Sequence, residues 1–322
     1  MKGLWLEKGE LKYRDDIPDP ELTNGEALIK VLLAGVCSTD IELVKGYYPF
    51  FGVLGHEFVG QVIKAPTDPA WEGKRVVGEI NAVCGECEAC KAGRPTHCEN
   101  RTVLGIKGRN GVFAEYCTLP VENLHEVPPS LPNDVAVFTE PLAAAMEIHQ
   151  QVHIHPSDRV VLIGAGRLGM LIAFSIMVNG CELKVVARRN RARRMLKNRG
   201  IMTIGVEDIH PRMADIVIDA TGNPEGFLLA KRAVRPRGKI ILKSTYKGSV
   251  NVDLSSVVVD EITLIGSRCG PFAPALKLLE NAVVNPIDLI DGKYQLSDGV
   301  KALEKAGSPG VLKILIDPTS SK

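Results

Sequence analysis

Residues 160–169 read VVLIGAGRLG, and they give the strongest indication of the fold of the second half of the chain. The first four residues are all apolar, which is typical of a central parallel strand. A Gly-x-Gly-x-x-Gly turn follows, then a helix-like segment at 170–179 and a second strand at 183–187. Such glycines permit a tight turn and let a pyrophosphate rest on the helix N-terminus. The predicted cofactor contacts in this turn are Gly164, Gly166, Arg167, Leu168 and Gly169.

The end of the second strand predicts which dinucleotide binds. An acid at this position would bond the adenosine ribose 2′-hydroxyl. The chain has Arg188 and Arg189 there, and no acid until Glu207. A guanidinium suits a 2′-phosphate, so the sequence favours NADP(H) over NAD(H). The later members of this arginine-rich run, up to Arg199, are predicted to form a solvated helix face.

Strands and helices continue to alternate after this point. Further strands are predicted at 214–220, 238–242 and 262–265, with Thr221 at the end of the first as another cofactor contact. Repeated strand–helix units indicate a doubly wound parallel sheet. Beyond it, a helix at 275–281 leads into β-type segments. The last of these, at 313–316, is a strand that can rejoin the N-terminal domain.

The first half contains a second informative stretch, VLLAGVCSTDIELVKGYYPFFGVLGHEFVGQV at 31–62. Two apolar runs deliver Cys37 with Thr39 nearby, and then His56 with Glu57. Thiolate and imidazole together are ligands suited to Zn²⁺. A hydroxyl two residues from the cysteine is placed to exchange a proton with something bound at the metal. The alternative is a buried structural cysteine and a satisfied core histidine.

A cysteine-rich lobe at 84–98 carries the most specific motif of the chain. Two-residue spacers allow consecutive thiolates to surround one ion, and a closed all-sulfur site is structural. His97 is an alternative ligand within the lobe, and a disulfide pair is an alternative chemistry. Glu86 and Glu88 disfavour phosphate and so argue against a nucleic-acid zinc ribbon. The predicted structural zinc ligands are Cys84, Cys87, Cys90 and Cys98.

Glu140 precedes a proline and an alanine-rich segment that is predicted to be helical. An acid in the first turn is favoured by the helix dipole, so capping explains this residue adequately. A catalytic metal ligand is the functional interpretation. His149, His153 and His155 follow closely and are predicted to be surface residues.

The composition excludes several classes of protein. A length of 322 residues suggests about two domains, and 45% hydrophobic residues can fill their cores. A net charge of +1 gives no general attraction to nucleic acid or to anionic membranes, and no apolar run reaches the ~18 residues of a membrane span. Eight cysteines without a secretory signal favour metal binding over disulfides. The expectation is a cytoplasmic protein with a small-molecule substrate.

With these motifs together, the chain resembles the medium-chain zinc-dependent alcohol dehydrogenase superfamily, closest to its polyol, threonine and glucose dehydrogenase branches. The resemblance implies an α/β fold with a GroES-like β-rich catalytic domain at 1–141 and 269–322. A Rossmann doubly wound parallel-sheet domain at 142–268 would separate these parts, with substrate in the cleft between the domains. It also implies a homo-oligomer, either a dimer or a tetramer.

The resemblance also implies residue roles. Cys37 and His56 would hold the catalytic zinc, with Glu140 where alcohol dehydrogenases proper have a cysteine. Glu57 is a candidate fourth ligand. Thr39 would relay the substrate proton, and Asp40 would support the zinc-bound histidine. The implied activity is hydride transfer between a secondary alcohol, polyol or sugar hydroxyl and NAD(P).

The sequence departs from the family in places. Glu42 stands where some members place a proton-relay histidine, and the segment between Asp40 and Gly55 is short. Three alternatives stay open at this point: a non-catalytic cofactor-binding protein, a zinc-independent NADP(H)-binding reductase of the same superfamily, and a nucleic-acid-binding zinc protein.

Overall fold

A computed structural model describes residues 1–245 and 249–319, which form two compact units. Unit one comprises Met1–Glu140 and Phe272–Lys322, and unit two comprises Pro141–Pro271. Within the described residues, no helix combines the length and the apolar composition that crossing a bilayer requires.

The N-terminal part of unit one is built mainly from short strands. Its strands are β1 (Gly3–Glu7), β2 (Glu10–Arg14), β3 (Glu26–Gly35), β4 (Gly52–Val53), β5 (Glu57–Lys64), β6 (Arg75–Gly78), β7 (Asn81–Ala82), β8 (Thr102–Leu104), β9 (Gly108–Arg109), β10 (Tyr116–Pro120) and β11 (Leu124–Glu126). Its helices are α1 (Ser38–Val44), α2 (Glu88–Lys91), α3 (Asn133–Ala136) and the start of α4 (Thr139–Gln151).

Unit two alternates strands with helices, except that β14 is followed directly by β15. The elements are β12 (Arg159–Ile163), α5 (Arg167–Ile176), β13 (Glu182–Val186), α6 (Asn190–Lys197), β14 (Met202–Ile204), β15 (Ala214–Asp219), α7 (Pro224–Ala233), β16 (Val234–Leu242), α8 (Leu254–Val259) and β17 (Thr263–Gly266). The chain then returns to unit one through α9 (Phe272–Glu280), β18 (Ile290–Gln295), α10 (Gly299–Gly307) and β19 (Lys313–Asp317).

The main sheet of unit one contains seven strands in the order β11-β6-β5-β3-β19-β18, with β10 also paired to β3. The C-terminal strand β19 runs antiparallel to β3, with Leu315 opposite Gly35. The predicted return of the chain to the first domain is therefore confirmed. Because β3 lies between β5 and β19, the C-terminal strand is brought to the same region as the 31–62 stretch.

The sheet of unit two has six parallel strands in the order β14-β13-β12-β15-β16-β17. The strand order reverses between β12 and β15, and ligands of such sheets bind outside the carboxyl ends of the strands at this switch point. Val161, Val217 and Ile240 lie in the buried core against which α7 packs. The predicted α/β fold with a doubly wound sheet is confirmed.

Several elements differ from the sequence expectation. Helix α5 begins at Arg167 rather than residue 170, because Gly166 in the turn already serves as its N-cap. Strand β16 begins four residues earlier than expected, with a register irregularity against β15. Residues 299–307 form helix α10 where β structure was expected, and Ala302 and Ala306 are buried at the helical i,i+4 spacing.

Candidate functional site

The ends of two neighbouring strands bring the first set of predicted ligands together. Cys37 follows β3 as the N-cap of α1, and His56 immediately precedes β5. In the antiparallel pairing, Gly35 at the end of β3 lies opposite Glu57 at the start of β5. The register of one strand pair therefore places side chains 19 residues apart in sequence at one point of the sheet.

The ligand atoms of Cys37, His56 and Glu57 lie within 4.8 Å of one another. His56 is buried, and its Nδ1 lies 3.2 Å from Oδ1 of Asp40. The second carboxylate oxygen of Asp40 accepts a hydrogen bond from the backbone N–H of Cys37 at 2.8 Å. Asp40 thus contacts both the backbone N–H of Cys37 and the imidazole of His56. This leaves Nε2 of His56 available for an ion.

The charges around His56 are those expected of a cation site. Burial by itself lowers the pKa of His56, but the negative charges of Asp40 and Cys37 outweigh it and raise that pKa well above its usual value. The same anionic surroundings stabilise a divalent cation, and thiolate, imidazole and carboxylate together are a donor set for zinc. The residues present therefore fit a zinc ion.

Glu57 is also paired with Lys313, a buried residue at the start of β19. The lysine Nζ lies 3.4 Å from the carbonyl oxygen of Val36 and 5.5 Å from the centre of the Phe138 ring. Sequence reasoning missed this lysine as a site residue. The available signal was a charged residue opening the otherwise apolar strand 313–316, which is unusual for a buried position.

The glycine opposite Glu57 leaves room for its carboxylate. A Cβ built on Gly35 would collide with Oε2 of Glu57. The absent side chain leaves the space that the carboxylate occupies.

Glu140 stands outside the group of three ligand atoms, in the first turn of α4. Burial raises the pKa of Glu140 to about 7, with the positive charge of His56 opposing this shift and the negative charge of Glu57 adding to it. The carboxyl of Glu140 therefore lies close enough to interact electrostatically with His56 and Glu57. The residue is only partly buried, and its place in the first turn of α4 also suits a helix cap.

Thr39 is half-buried, and its Oγ1 lies 3.7 Å from Sγ of Cys37. The hydroxyl is thus placed beside one of the three candidate ligand atoms. Glu42, the departure from the family pattern, is paired with Lys45 at 2.9 Å on an exposed face of α1.

The four cysteines of the 84–98 lobe also converge, with all sulfur atoms within 4.8 Å of one another. Sγ of Cys84 lies 3.5 Å from Sγ of Cys98, and Sγ of Cys87 lies 3.6 Å from Sγ of Cys90. A tetrahedron with Zn–S bonds of about 2.3 Å has edges of about 3.8 Å. The spacing therefore fits a tetrahedral ion. His97, the alternative ligand, is exposed and outside this group.

Backbone N–H groups within the lobe stabilise the thiolate form of Cys84. The N–H groups of Glu86 and Cys87 lower the pKa of Cys84 to about 6, which favours the thiolate that a metal requires. Asn100 donates a further hydrogen bond to Sγ of Cys84 at 3.8 Å.

The glycine turn of unit two has the shape that a pyrophosphate requires. Gly164 has a φ of +107°, and a Cβ there would lie 2.9 Å from the carbonyl oxygen of Ala220. A Cβ on Gly169 would collide with the carbonyl oxygen of Gly164, whereas one on Gly166 would meet only open space. The first and third glycines therefore pack the turn, and the second leaves room at the N-terminus of α5 for a ligand. Arg167 and Leu168 form the first turn of that helix.

The structure places Arg188 and Arg189 directly after β13, both exposed. Arg193 instead forms a hydrogen bond within unit two, in which its Nε donates to the carbonyl oxygen of Ala187 at 2.6 Å. Thr221 lies beyond the end of β15, where its hydroxyl donates to Oδ1 of Asp219 at 2.8 Å. The predicted cofactor residues thus lie at the carboxyl ends of β12, β13 and β15.

Of the three neighbouring histidines, His153 and His155 are exposed as expected, with ring centroids 4.2 Å apart. His149 differs from the prediction. It is half-buried in the last turn of α4, and burial lowers its pKa.

One unit is β-rich and carries three converging candidate ligands and a four-cysteine lobe. The other has a doubly wound sheet with a Gly-x-Gly-x-x-Gly turn, and together these features are typical of a zinc- and nicotinamide-dependent class of oxidoreductase. Residues 23–129 match the alcohol dehydrogenase GroES-like domain. The chain is 30% identical to a D-arabitol-phosphate dehydrogenase of Enterococcus avium, over 94% of this chain and 92% of that protein. It is also 30% identical to an L-threonine 3-dehydrogenase of Streptomyces avermitilis, over 99% of this chain and 100% of that protein.

Among solved structures, the chain is similar to a putative zinc-binding dehydrogenase of Sinorhizobium meliloti bound to NADP. The TM-score is 0.91 at 27% identity, with 98% of this chain and 99% of that chain covered. The chain belongs to the medium-chain zinc-dependent alcohol dehydrogenase superfamily, and the resemblance drawn from its motifs is confirmed. It is an oxidoreductase of the alcohol and polyol dehydrogenase type, with zinc and a nicotinamide cofactor.

Proposed function

We propose that the chain oxidises a secondary hydroxyl of a polyol, polyol phosphate or related small alcohol with NADP⁺, and catalyses the reverse reduction. The observation that carries this proposal is the convergence of Cys37, His56 and Glu57 within 4.8 Å, with Asp40 behind the histidine. The similarity to a D-arabitol-phosphate dehydrogenase supports the substrate class.

Each residue of the cluster has a proposed role. Cys37, His56 and a glutamate, either Glu57 or Glu140, would hold the catalytic zinc. When bound, the zinc would supply Lewis-acid activation of the substrate hydroxyl, and the nicotinamide would supply the hydride acceptor. Asp40 fixes the tautomer and the orientation of His56.

The remaining residues act on protons and charge. The Thr39 hydroxyl, next to Cys37, accepts the substrate proton and passes it toward solvent. Lys313 neutralises Glu57 when that carboxylate is not held by an ion.

The direct experiment assays a panel of polyols, polyol phosphates, 3-hydroxy amino acids and simple secondary alcohols with NADP⁺ and NAD⁺ side by side. Turnover of at least one polyol class, abolished by a zinc chelator and restored by zinc, supports the proposal. Chelator-resistant reduction of activated double bonds would instead favour the zinc-independent reductase.

We propose two zinc ions per chain, one catalytic and one held by Cys84, Cys87, Cys90 and Cys98 in a structural site. We also propose a catalytic domain at 1–141 and 269–322 and a Rossmann domain at 142–268, which the limits of the two compact units support. A cytoplasmic location is proposed because both candidate zinc sites need reduced thiolates, which a reducing compartment maintains.

The preference for NADP⁺ depends on Arg188 in this proposal. We expect Arg188→Asp to lower kcat/KM with NADP⁺ by about 100-fold and to raise it with NAD⁺, because an acid repels the 2′-phosphate and bonds the 2′-hydroxyl. Steady-state kinetics with both cofactors measures this change. Arg194→Asp, on the exposed face of α6, is the matched control and should leave the ratio unchanged. An unaltered cofactor ratio in Arg188→Asp would remove this residue from the 2′-phosphate site.

We propose that the chain forms a homo-oligomer through the outer edge of unit two. Helix α8 exposes Leu254 (64%), Val258 (74%) and Val259 (81%), and Leu264 on the edge strand β17 is 40% exposed. An open strand edge beside apolar side chains is a surface that a second copy can cover. We expect Val259→Glu to convert the oligomer to a monomer in light scattering, whereas Val178→Glu, at a 55% exposed site on the same unit, should not. A wild-type monomer would contradict the proposal.

A further inference from the structure

A buried lysine of unit two lies outside the residues assigned so far. Lys243 follows β16 and is only 8% exposed. Its Nζ donates to Oγ of Ser267 at 3.0 Å and to the carbonyl oxygen of Arg268 at 2.7 Å. Its backbone N–H donates to the carbonyl oxygen of Asp219 at 2.9 Å. The ammonium is thus fixed at the carboxyl ends of β15, β16 and β17.

The topology of the sheet relates this position to one part of the cofactor. A dinucleotide crosses a doubly wound sheet at the switch point, with one mononucleotide over each half. The pyrophosphate turn follows β12 and Arg188 follows β13, so the adenosine half lies over β12–β14. The nicotinamide half therefore lies over the carboxyl ends of β15–β17, which are the strand ends that Lys243 joins.

Charged groups of both signs lie at this edge. Arg268, just beyond β17, is a second cation. The carboxylate of Asp219 already accepts hydrogen bonds from the backbone N–H and the hydroxyl of Thr221. Burial raises the pKa of Asp219, and the charge of Lys243 acts alongside this carboxylate.

The two redox forms of the cofactor differ in charge on the nicotinamide ring. The oxidised ring is a cation, and the reduced ring is neutral. A fixed ammonium nearby raises the free energy of the oxidised form and has little effect on the reduced form. We infer that Lys243 is a specificity-determining residue that biases this chain toward the reduced cofactor, and so toward carbonyl reduction.

This inference rests on the proposed nicotinamide function of unit two. For unit charges about 8–10 Å apart at an effective dielectric constant of about 20, the bias is on the order of tenfold. It is measured as the ratio of the Kd for NADP⁺ to the Kd for NADPH, by calorimetry without substrate. The ratio reports binding and does not depend on turnover.

The test compares charge-removing and charge-keeping variants. Lys243→Gln retains donors for Ser267 and Arg268 but removes the charge, and we expect the ratio of Kd values to fall about tenfold, mainly through tighter NADP⁺ binding. Lys243→Arg keeps the charge and should keep the ratio. Lys239→Gln, four residues earlier in β16 and about 13 Å away along the strand, is the matched control.

The outcomes separate this inference from the proposed function. If Lys243→Gln binds both cofactors with the wild-type ratio, the inference is wrong and the proposed function stands. If the wild-type chain binds neither cofactor, the proposed function fails first. Should Lys243→Gln not fold, Lys243→Met provides the same charge removal, and the ratio decides in the same way. Lowering the ionic strength should raise the ratio of the NADP⁺ Kd to the NADPH Kd in the wild type but not in Lys243→Gln. This result would support an electrostatic cause of the bias.

Discussion

Replacing Cys37 by serine is expected to lower kcat by about 1,000-fold or more and to reduce the zinc content from two ions per chain to one. The thiolate is one of three candidate ligands within 4.8 Å, and a neutral serine hydroxyl is a poor zinc ligand. Losing the several kcal/mol that a Lewis acid contributes to the transition state slows the reaction by a factor of this size. Steady-state kinetics and elemental analysis on the same sample measure both effects.

The Cys37 experiment has an internal and an external control. NADPH binding should be unchanged, because the glycine turn lies in unit two. Cys181→Ser removes a half-exposed thiol of unit two and should retain full activity with two zinc ions. If Cys37→Ser retained wild-type turnover, the catalytic assignment of the cluster would be incorrect.

Replacing Cys98 by serine is expected to destabilise unit one rather than to act on the chemistry directly. Cys98 is completely buried, and its sulfur lies 3.5 Å from that of Cys84. Structural zinc binding contributes folding free energy, so its loss should cost several kcal/mol and lower the apparent Tm by about 10 °C. Differential scanning calorimetry measures the shift, and elemental analysis should show one zinc ion, now the catalytic one.

The lobe offers a matched control for this variant. His97→Gln changes the adjacent exposed residue, the alternative ligand, and should leave both Tm and zinc content at the wild-type values. If His97→Gln lost zinc while Cys98→Ser kept it, His97 rather than Cys98 would be the zinc ligand.

Local patterns allowed much of the fold to be predicted from sequence. The glycine turn between an apolar run and a helix requires only near neighbours, because its conformation and its helix N-terminus are set within ten residues. The four-cysteine lobe is local in the same sense, since two-residue spacers place the thiolates around one point. Helix α10 was not predicted, although Ala302 and Ala306 lie at the helical i,i+4 spacing.

The candidate ligands Cys37, His56 and Glu57 were predictable one by one, but their grouping was not. Cys37 and His56 meet because β3 pairs with β5 in one particular register. A shift of one residue would turn every side chain to the other face.

The residue types therefore fix which chemistry can be proposed: a thiolate, an imidazole and carboxylates as candidate zinc ligands, four sulfurs for a proposed second ion, and glycines for a proposed dinucleotide site. The pairing of Lys313 on β19 with Glu57, and the contacts of Lys243 at three strand ends, are visible only in the folded chain. The physical reason is that both lysines act through partners from other strands. Glu57 lies 256 residues from Lys313, and Ser267 lies 24 residues from Lys243. Only strand order and register bring such groups into contact.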